Sequence, residues 1–174
     1  MTTEIRPALH FDDRHITWRH FSGYEGLSFW VCGVNDTRQT VDLFFRLAPG
    51  ARCPSHRHVG PTDTLVIEGE HQTFAPTADG WELDQVRPPG YFAANEGDHL
   101  HSEAGGAEGA IILLSMTAVD WVIWEVLGDD GQIVAVHAGE LPPGPGASAC
   151  GARGRARLVM RRPAPPASVG TIRR

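Results

Sequence analysis

The sequence predicts an all-β sandwich or barrel. Three observations carry that expectation: short runs rich in β-branched and aromatic residues, turn chemistry separating them at intervals of about 8 to 12 residues, and no long stretch of helical period. Thr40–Leu47, TVDLFFRL, reads as a strand running into the Pro49-Gly50 turn. Thr64–Ile67 is strand-length and is expected to close at Gly69, followed by a run from His71 to Phe74 and a turn over Pro76–Gly80. Trp81–Val86, Gly90–Ala93, His99–Ser102, Ala110–Met116, Trp121–Leu127 and Gln132–His137 complete the set. Turns at Pro88-Pro89-Gly90, Gly105-Gly106 and Asp129-Asp130-Gly131 separate several of them.

With 174 residues and 41% hydrophobic content, the chain suits one domain that can bury a core without disulfides. The barrel is expected over residues 16–140, after an N-terminal extension of residues 1–15. Residues 141–174 are too rich in Pro, Gly, Ala and Arg to pack a core and are expected to form an extended or disordered tail. Cys32, Cys53 and Cys150 are odd in number and lack CxxC spacing, so they read as reduced thiols. No apolar run approaches a membrane span, and the first residues carry charge where a signal peptide is apolar; the expected location is cytoplasmic. All 15 basic residues are arginine. Seven lie in residues 153–174, where there is no acid, so the remaining eight face 21 acidic side chains and the body of the chain stands near −13. An acidic body argues against nucleic-acid binding, and the arginine tail reads as solvated charge.

Histidines supply the candidate chemistry. His56 and His58 stand one residue apart after the Gly50 turn, and His99 and His101 repeat the spacing about 40 residues on. Residues two apart on a strand share a face, so each pair sets two imidazoles side by side, which suits chelation of one metal ion. His71 is a candidate pocket residue. Its neighbour Gln72 competes for the inward position, because strand parity past Gly69 does not follow from the sequence. Trp30, Tyr91, Phe92, Trp121 and Trp124 read as core.

These residues resemble the first motif of the cupin superfamily: Gly, five residues, His-x-His, three or four residues, Glu, six residues, Gly. The chain has Gly50, His56-Arg57-His58, Thr62 and Gly69 at those spacings. Thr62 occupies the glutamate position. Asp63 fits the longer spacing but points to the opposite face unless the backbone bulges. The second motif, Pro-x-Gly-x-x-His, is represented by Glu96-Gly97-Asp98 followed by His99-Leu100-His101, with leucine at the strict position. His101 is the preferred third ligand and His99 the alternate. From Ile16 through Val136 the chain resembles the small single-domain cupins of the 2,4'-dihydroxyacetophenone dioxygenase-like branch, through the stretches Gly26–Val34, Leu43–His58, Val66–Gln72 and Trp121–Val134.

The resemblance implies a double-stranded β-helix, the cupin jelly-roll barrel, with one divalent ion on three histidines, His56, His58 and His101. Such sites lack the carboxylate, which would account for Thr62. The implied function is a non-haem Fe(II) dioxygenase that cleaves a small hydroxyketone, diketone or aromatic ketone with O₂. A zinc or nickel cupin of polyketide cyclase or isomerase type is the alternative, as is a non-catalytic cupin that binds a ligand through its metal. A small-molecule substrate and a homodimer are the expected partners, with no nucleic acid and no membrane.

Overall fold

The computed structural model describes residues 10–127, 132–139 and 157–161. TVDLFFRL has an apolar residue at every second position and forms a strand, Thr40–Leu47, whose Val41, Leu43, Phe45 and Leu47 are buried while Asp42 and Arg46 stay outside. Ten further strands join it, making β1 (Arg19–His20), β2 (Leu27–Asn35), β3 (Thr40–Leu47), β4 (His56–His58), β5 (Thr62–Thr77), β6 (Gly80–Arg87), β7 (Phe92–Asn95), β8 (Ser102–Thr117), β9 (Val122–Leu127), β10 (Ile133–Gly139) and β11 (Arg157–Arg161). All pairings are antiparallel. The larger sheet has the order β1-β2-β3-β8-β5-β6 with β7 added on β5; the smaller runs β11-β10-β9-β4. The expected all-β architecture is what the chain adopts. No helix among the described residues is long and apolar enough to cross a membrane.

β3 lies beside β8, and β8 beside β5, so the central strands of the large sheet are far apart in sequence. The core between the sheets holds Phe45, Leu43, Leu47, Ile112, Leu114 and Met116 from the large sheet with Ile123, Trp124 and Val126 from β9. Each fully buried side chain of this size contributes about 1.5–3 kcal/mol. Phe21, ahead of β2, sets its ring edge-on to Phe29, Phe45 and Trp124.

Two strands are longer than the sequence suggested. The expected stop at Gly69 and the expected turn at Gly105-Gly106 both lie inside continuous 16-residue strands, β5 and β8. Glycine here bends the strand without ending it. Gly69 and Gly109 have φ of 73° and 79°, and a Cβ on Gly69 would sit 2.1 Å from the Gly109 carbonyl oxygen. Such paired positive-φ positions form bulges, and the β5–β8 register shifts between Val66 and Glu68 and again between Gly69 and His71. The bulge resets side-chain parity: Thr62, Thr64 and Val66 face inward before it, and His71 and Thr73 after it.

Within the segment expected to be an extended or disordered tail, Arg157–Arg161 pairs with β10 as β11. The rest of that segment, the arginines outside β11, Cys150, the Asp129-Asp130-Gly131 turn and residues 1–9 lie outside the described residues.

Candidate metal centre

β4 is only three residues long, but its burial alternates as the HxH pattern requires: His56 and His58 are buried and Arg57 faces outward. Arg57 anchors the strand, donating to Glu125 Oε2 of β9 at 2.6 Å and pairing with Asp98 Oδ1. Asp98 in turn donates its backbone N–H to the His58 carbonyl at 2.7 Å. The loop that carries the second histidine pair is thereby tied to the strand that carries the first. His101 completes the junction by exchanging both backbone hydrogen bonds with His56, each 2.9 Å, where the small sheet meets the start of β8.

The structure brings together His56, His58, His101 and a fourth residue, Glu103, with one donor atom from each lying within 4.8 Å of all the others. Around one ion with bonds of about 2.1 Å, donors sit about 3 Å apart in cis and about 4.2 Å in trans, so a small contraction of this group would enclose a metal. The Glu103 oxygens stand 3.7 Å from both His56 Nε2 and His101 Nε2. His56 Nδ1 is 2.8 Å from the Pro54 carbonyl and His101 Nδ1 is 2.8 Å from the His99 carbonyl. Each Nδ1–H therefore donates to a backbone oxygen, and the lone pair stays on Nε2, which faces the group. His58 Nδ1 lies 2.9 Å from Thr62 Oγ1, whose own hydroxyl donates to the Gly60 carbonyl at 3.2 Å.

Electrostatics favour the ligating forms of three of the four. Burial, reinforced by the neighbouring His101, pushes the His56 imidazole down to about 4. Burial and the charge of His56 hold His58 well below the usual histidine range. Burial also opposes ionisation of Glu103, but the imidazoles of His71 and His101 outweigh it and keep the carboxyl well below its ordinary value. His101 is the exception. Burial lowers it, yet the Glu103 carboxylate raises it more, so a metal competes with a proton there more than at the other histidines.

Of the expected site residues, His56, His58 and His101 converge. His99 is exposed at the cavity mouth, and only its carbonyl serves the group, through His101. Asp63 points outward, opposite Ser115. Thr62, at the usual glutamate position, is buried and orients His58 through its hydroxyl. His71 is fully buried, not on the surface; its Nε2 is 3.0 Å from Glu103 Oε1, so it backs the carboxylate from behind the cavity wall. The bulge at Gly69 is the reason His71 faces inward and Gln72 does not. Beside the three histidines of the expected carboxylate-free set the structure places a carboxylate, Glu103. His101-Ser102-Glu103 has the same period-two spacing as His56-Arg57-His58, and that was the signal available for it. Trp124 is core, with its ring edge-on to His58 and near His56.

His58, His101 and Glu103 of the group line a cavity of about 570 Å³, shared with Thr62, Thr64 and Thr73 of β5, Gln85 and Arg87 of β6 and the loop from Gly97 to His101.

A barrel of two antiparallel sheets with a histidine-rich group between them defines the molecule as a cupin. Residues 7–120 match the ChrR cupin-like domain family, and the chain belongs to that family. Among solved structures it is similar to a protein assigned as an acetylacetone dioxygenase from Methylibium petroleiphilum, with 13% identity and a TM-score of 0.56 over 78% of this chain and 93% of that one. An acetylacetone dioxygenase from Acinetobacter johnsonii gives 12% identity and a TM-score of 0.54, over 76% and 85%. An RmlC-like cupin protein from Ralstonia eutropha gives 15% and 0.53, over 67% and 70%. At these identities the likeness is one of fold. A comparison with curated proteins gave no match.

Proposed function

We propose that the protein is a metal-dependent cupin enzyme, with His56, His58, His101 and Glu103 holding one divalent ion, and that it is a non-haem Fe(II) dioxygenase acting on a small ketone with two neighbouring oxygens. The single observation that supports this reading most is the convergence of three imidazoles and one carboxylate beside the 570 Å³ cavity, with two of the Nδ1 atoms tied back to backbone oxygens. When bound, Fe(II) would supply the redox chemistry that links O₂ to carbon–carbon cleavage. The chain's own residues do the rest. Three neutral imidazoles and one carboxylate leave a divalent ion with a net charge near +1, which suits an anionic enolate as the second negative group. Trp124 and the buried histidine rings exclude water from the inner side of the group, and Thr62, Thr64 and Thr73 offer hydroxyls to substrate oxygens. His71 Nε2–H, 3.0 Å from Glu103 Oε1, supports the negative charge with which Glu103 would hold the ion.

Glu103 also favours a second reading. Four protein ligands leave an octahedral ion only two open positions, enough for a chelating substrate alone, as a zinc or nickel Lewis-acid enzyme requires.

Metal analysis of protein purified without added metal, followed by oxygen uptake with Fe(II) and a panel of hydroxyketones and diketones, tests both. Iron with substrate-dependent uptake is expected. Tightly held zinc with no uptake would replace the first reading by the second, and unchanged metal content after His56→Ala with His58→Ala would remove the metal site altogether.

A further inference from the structure

One cation in the cavity has no counterpart. Arg87, at the end of β6, is 8% exposed, and it lines the same cavity as His101 and Glu103. The register explains its position: Arg87 pairs with His71 and Gln85 with Thr73 across β5–β6, while Thr73 pairs with Glu103 across β5–β8. The inward faces of three adjacent strands thus carry Arg87 and Gln85, His71 and Thr73, and Glu103. Arg87 Nε donates to Gln85 Oε1 at 3.0 Å, and its guanidinium carbon lies 5.6 Å from the centroid of the Tyr91 ring. Among the described residues its Nη1 and Nη2 make no hydrogen bond, and no carboxylate lies within ion-pair distance. Glu103 is engaged by His71 and Asp98 by Arg57. Burying a guanidinium without an anion is costly. Its donor fork, pre-set by Gln85 and Tyr91, is shaped for a planar oxyanion.

We propose that the substrate is itself an anion whose carboxylate is gripped by Arg87 while its ketone oxygens reach the His56–His58–His101–Glu103 group. This rests on the metal-site reading above and narrows it: the substrate class is an oxo- or dioxo-carboxylic acid, not a neutral diketone. A carboxylate fits better than a phosphate, because the Asp84 side chain lines the same cavity and would repel a dianion more than a monoanion.

The test compares 4,6-dioxoheptanoate with heptane-2,4-dione, which differ only in carboxylate against methyl. Binding is measured by calorimetry to the zinc-loaded protein and to protein stripped of metal, with inorganic phosphate as competitor. The expected result is that the wild type prefers the acid by at least tenfold. Arg87→Gln should remove that preference while leaving dione affinity and metal content unchanged, and Arg87→Lys should restore part of it. Equal affinity for the two probes, no binding of the acid, persistence of the preference in Arg87→Gln, or displacement of the acid by equimolar phosphate would each overturn the proposal. Failure of the metal site is read separately. It appears as absence of zinc in the loaded protein, whereas the carboxylate preference is still read in the stripped protein.

Discussion

Thr62→Val isolates the contribution of one hydroxyl to the site. The substitution keeps the branched shape at a buried position and exchanges only the hydroxyl for a methyl, so its cost comes from the lost hydrogen bonds. It removes the oxygen 2.9 Å from His58 Nδ1 and the donor to the Gly60 carbonyl. In wild type Trp124 Nε1–H already approaches His58 Nδ1 at 3.3 Å, and it is the competing chain from His58 Nδ1–H to Thr62 to Gly60 that favours the tautomer with the lone pair on Nε2. Without it, the remaining polar neighbour of His58 Nδ1 is Trp124 Nε1–H at 3.3 Å, which can only donate. The proton then moves to Nε2, the atom that faces the other ligands. Loss of such an orienting hydrogen bond costs about 10–100-fold in metal affinity, on the order of 1.4–2.7 kcal/mol. The metal-free fold should lose only about 1 kcal/mol, the usual net worth of one hydrogen bond, since His58 Nδ1 keeps Trp124 Nε1–H as its partner. Competitive titration with a chromophoric zinc chelator measures the affinity, and urea denaturation of the stripped protein measures the fold. Thr62→Ser should recover most of the affinity. Wild-type affinity in Thr62→Val, or a loss of affinity matched by an equal loss of apo stability, would refute the tautomer argument.

Three further outcomes are expected. His101→Ala should abolish stoichiometric metal binding while His99→Ala retains it, because only the former removes an Nε2 from the group; elemental analysis after gel filtration decides between them. Gly69→Ala should cost at least about 3 kcal/mol or prevent folding. Its Cβ would fall 2.1 Å from the Gly109 carbonyl at a φ of 73°, and denaturant midpoints report the loss. The stripped protein should lose stability as pH falls from 6.5 towards 4. The His56 pKa is depressed from 6.5 to about 4, so the unfolded chain binds the extra proton in that window, worth on the order of 3 kcal/mol. His58 and, below pH 4.5, Glu103 act in the same direction, while the raised His101 makes its own change above pH 6.5 and contributes a constant amount in this window. Thermal midpoints flat across this range would show that the buried histidines are already solvated.

Local chemistry was legible in the sequence wherever one strand settles its own orientation. TVDLFFRL has an apolar residue at every second position, and β3 has the bounds read from it. The HxH of β4 puts two imidazoles on one face because the period of two is a property of the extended backbone and needs no partner. Gly69 was read as a stop because a glycine after an apolar run marks turns and bulges alike. Only the opposing Gly109, 40 residues later in sequence, makes it a bulge in a continuing strand.

The sequence by itself therefore determined the all-β class, the inward pair His56 and His58, and the departure at Thr62, since each depends on residues within one extended segment. Tertiary structure decided the rest. The bridge between His56 and His101 selects His101 over His99. The bulge turns His71 inward, and the β5–β8 register sets Thr73 beside Glu103, bringing that carboxylate to the histidines. Strand pairing also places the unpaired Arg87 in the same cavity. The physical reason is the same in each case. Periodicity fixes the direction of a side chain relative to its own strand, whereas which side chains meet depends on register between strands, and a single bulge reverses it.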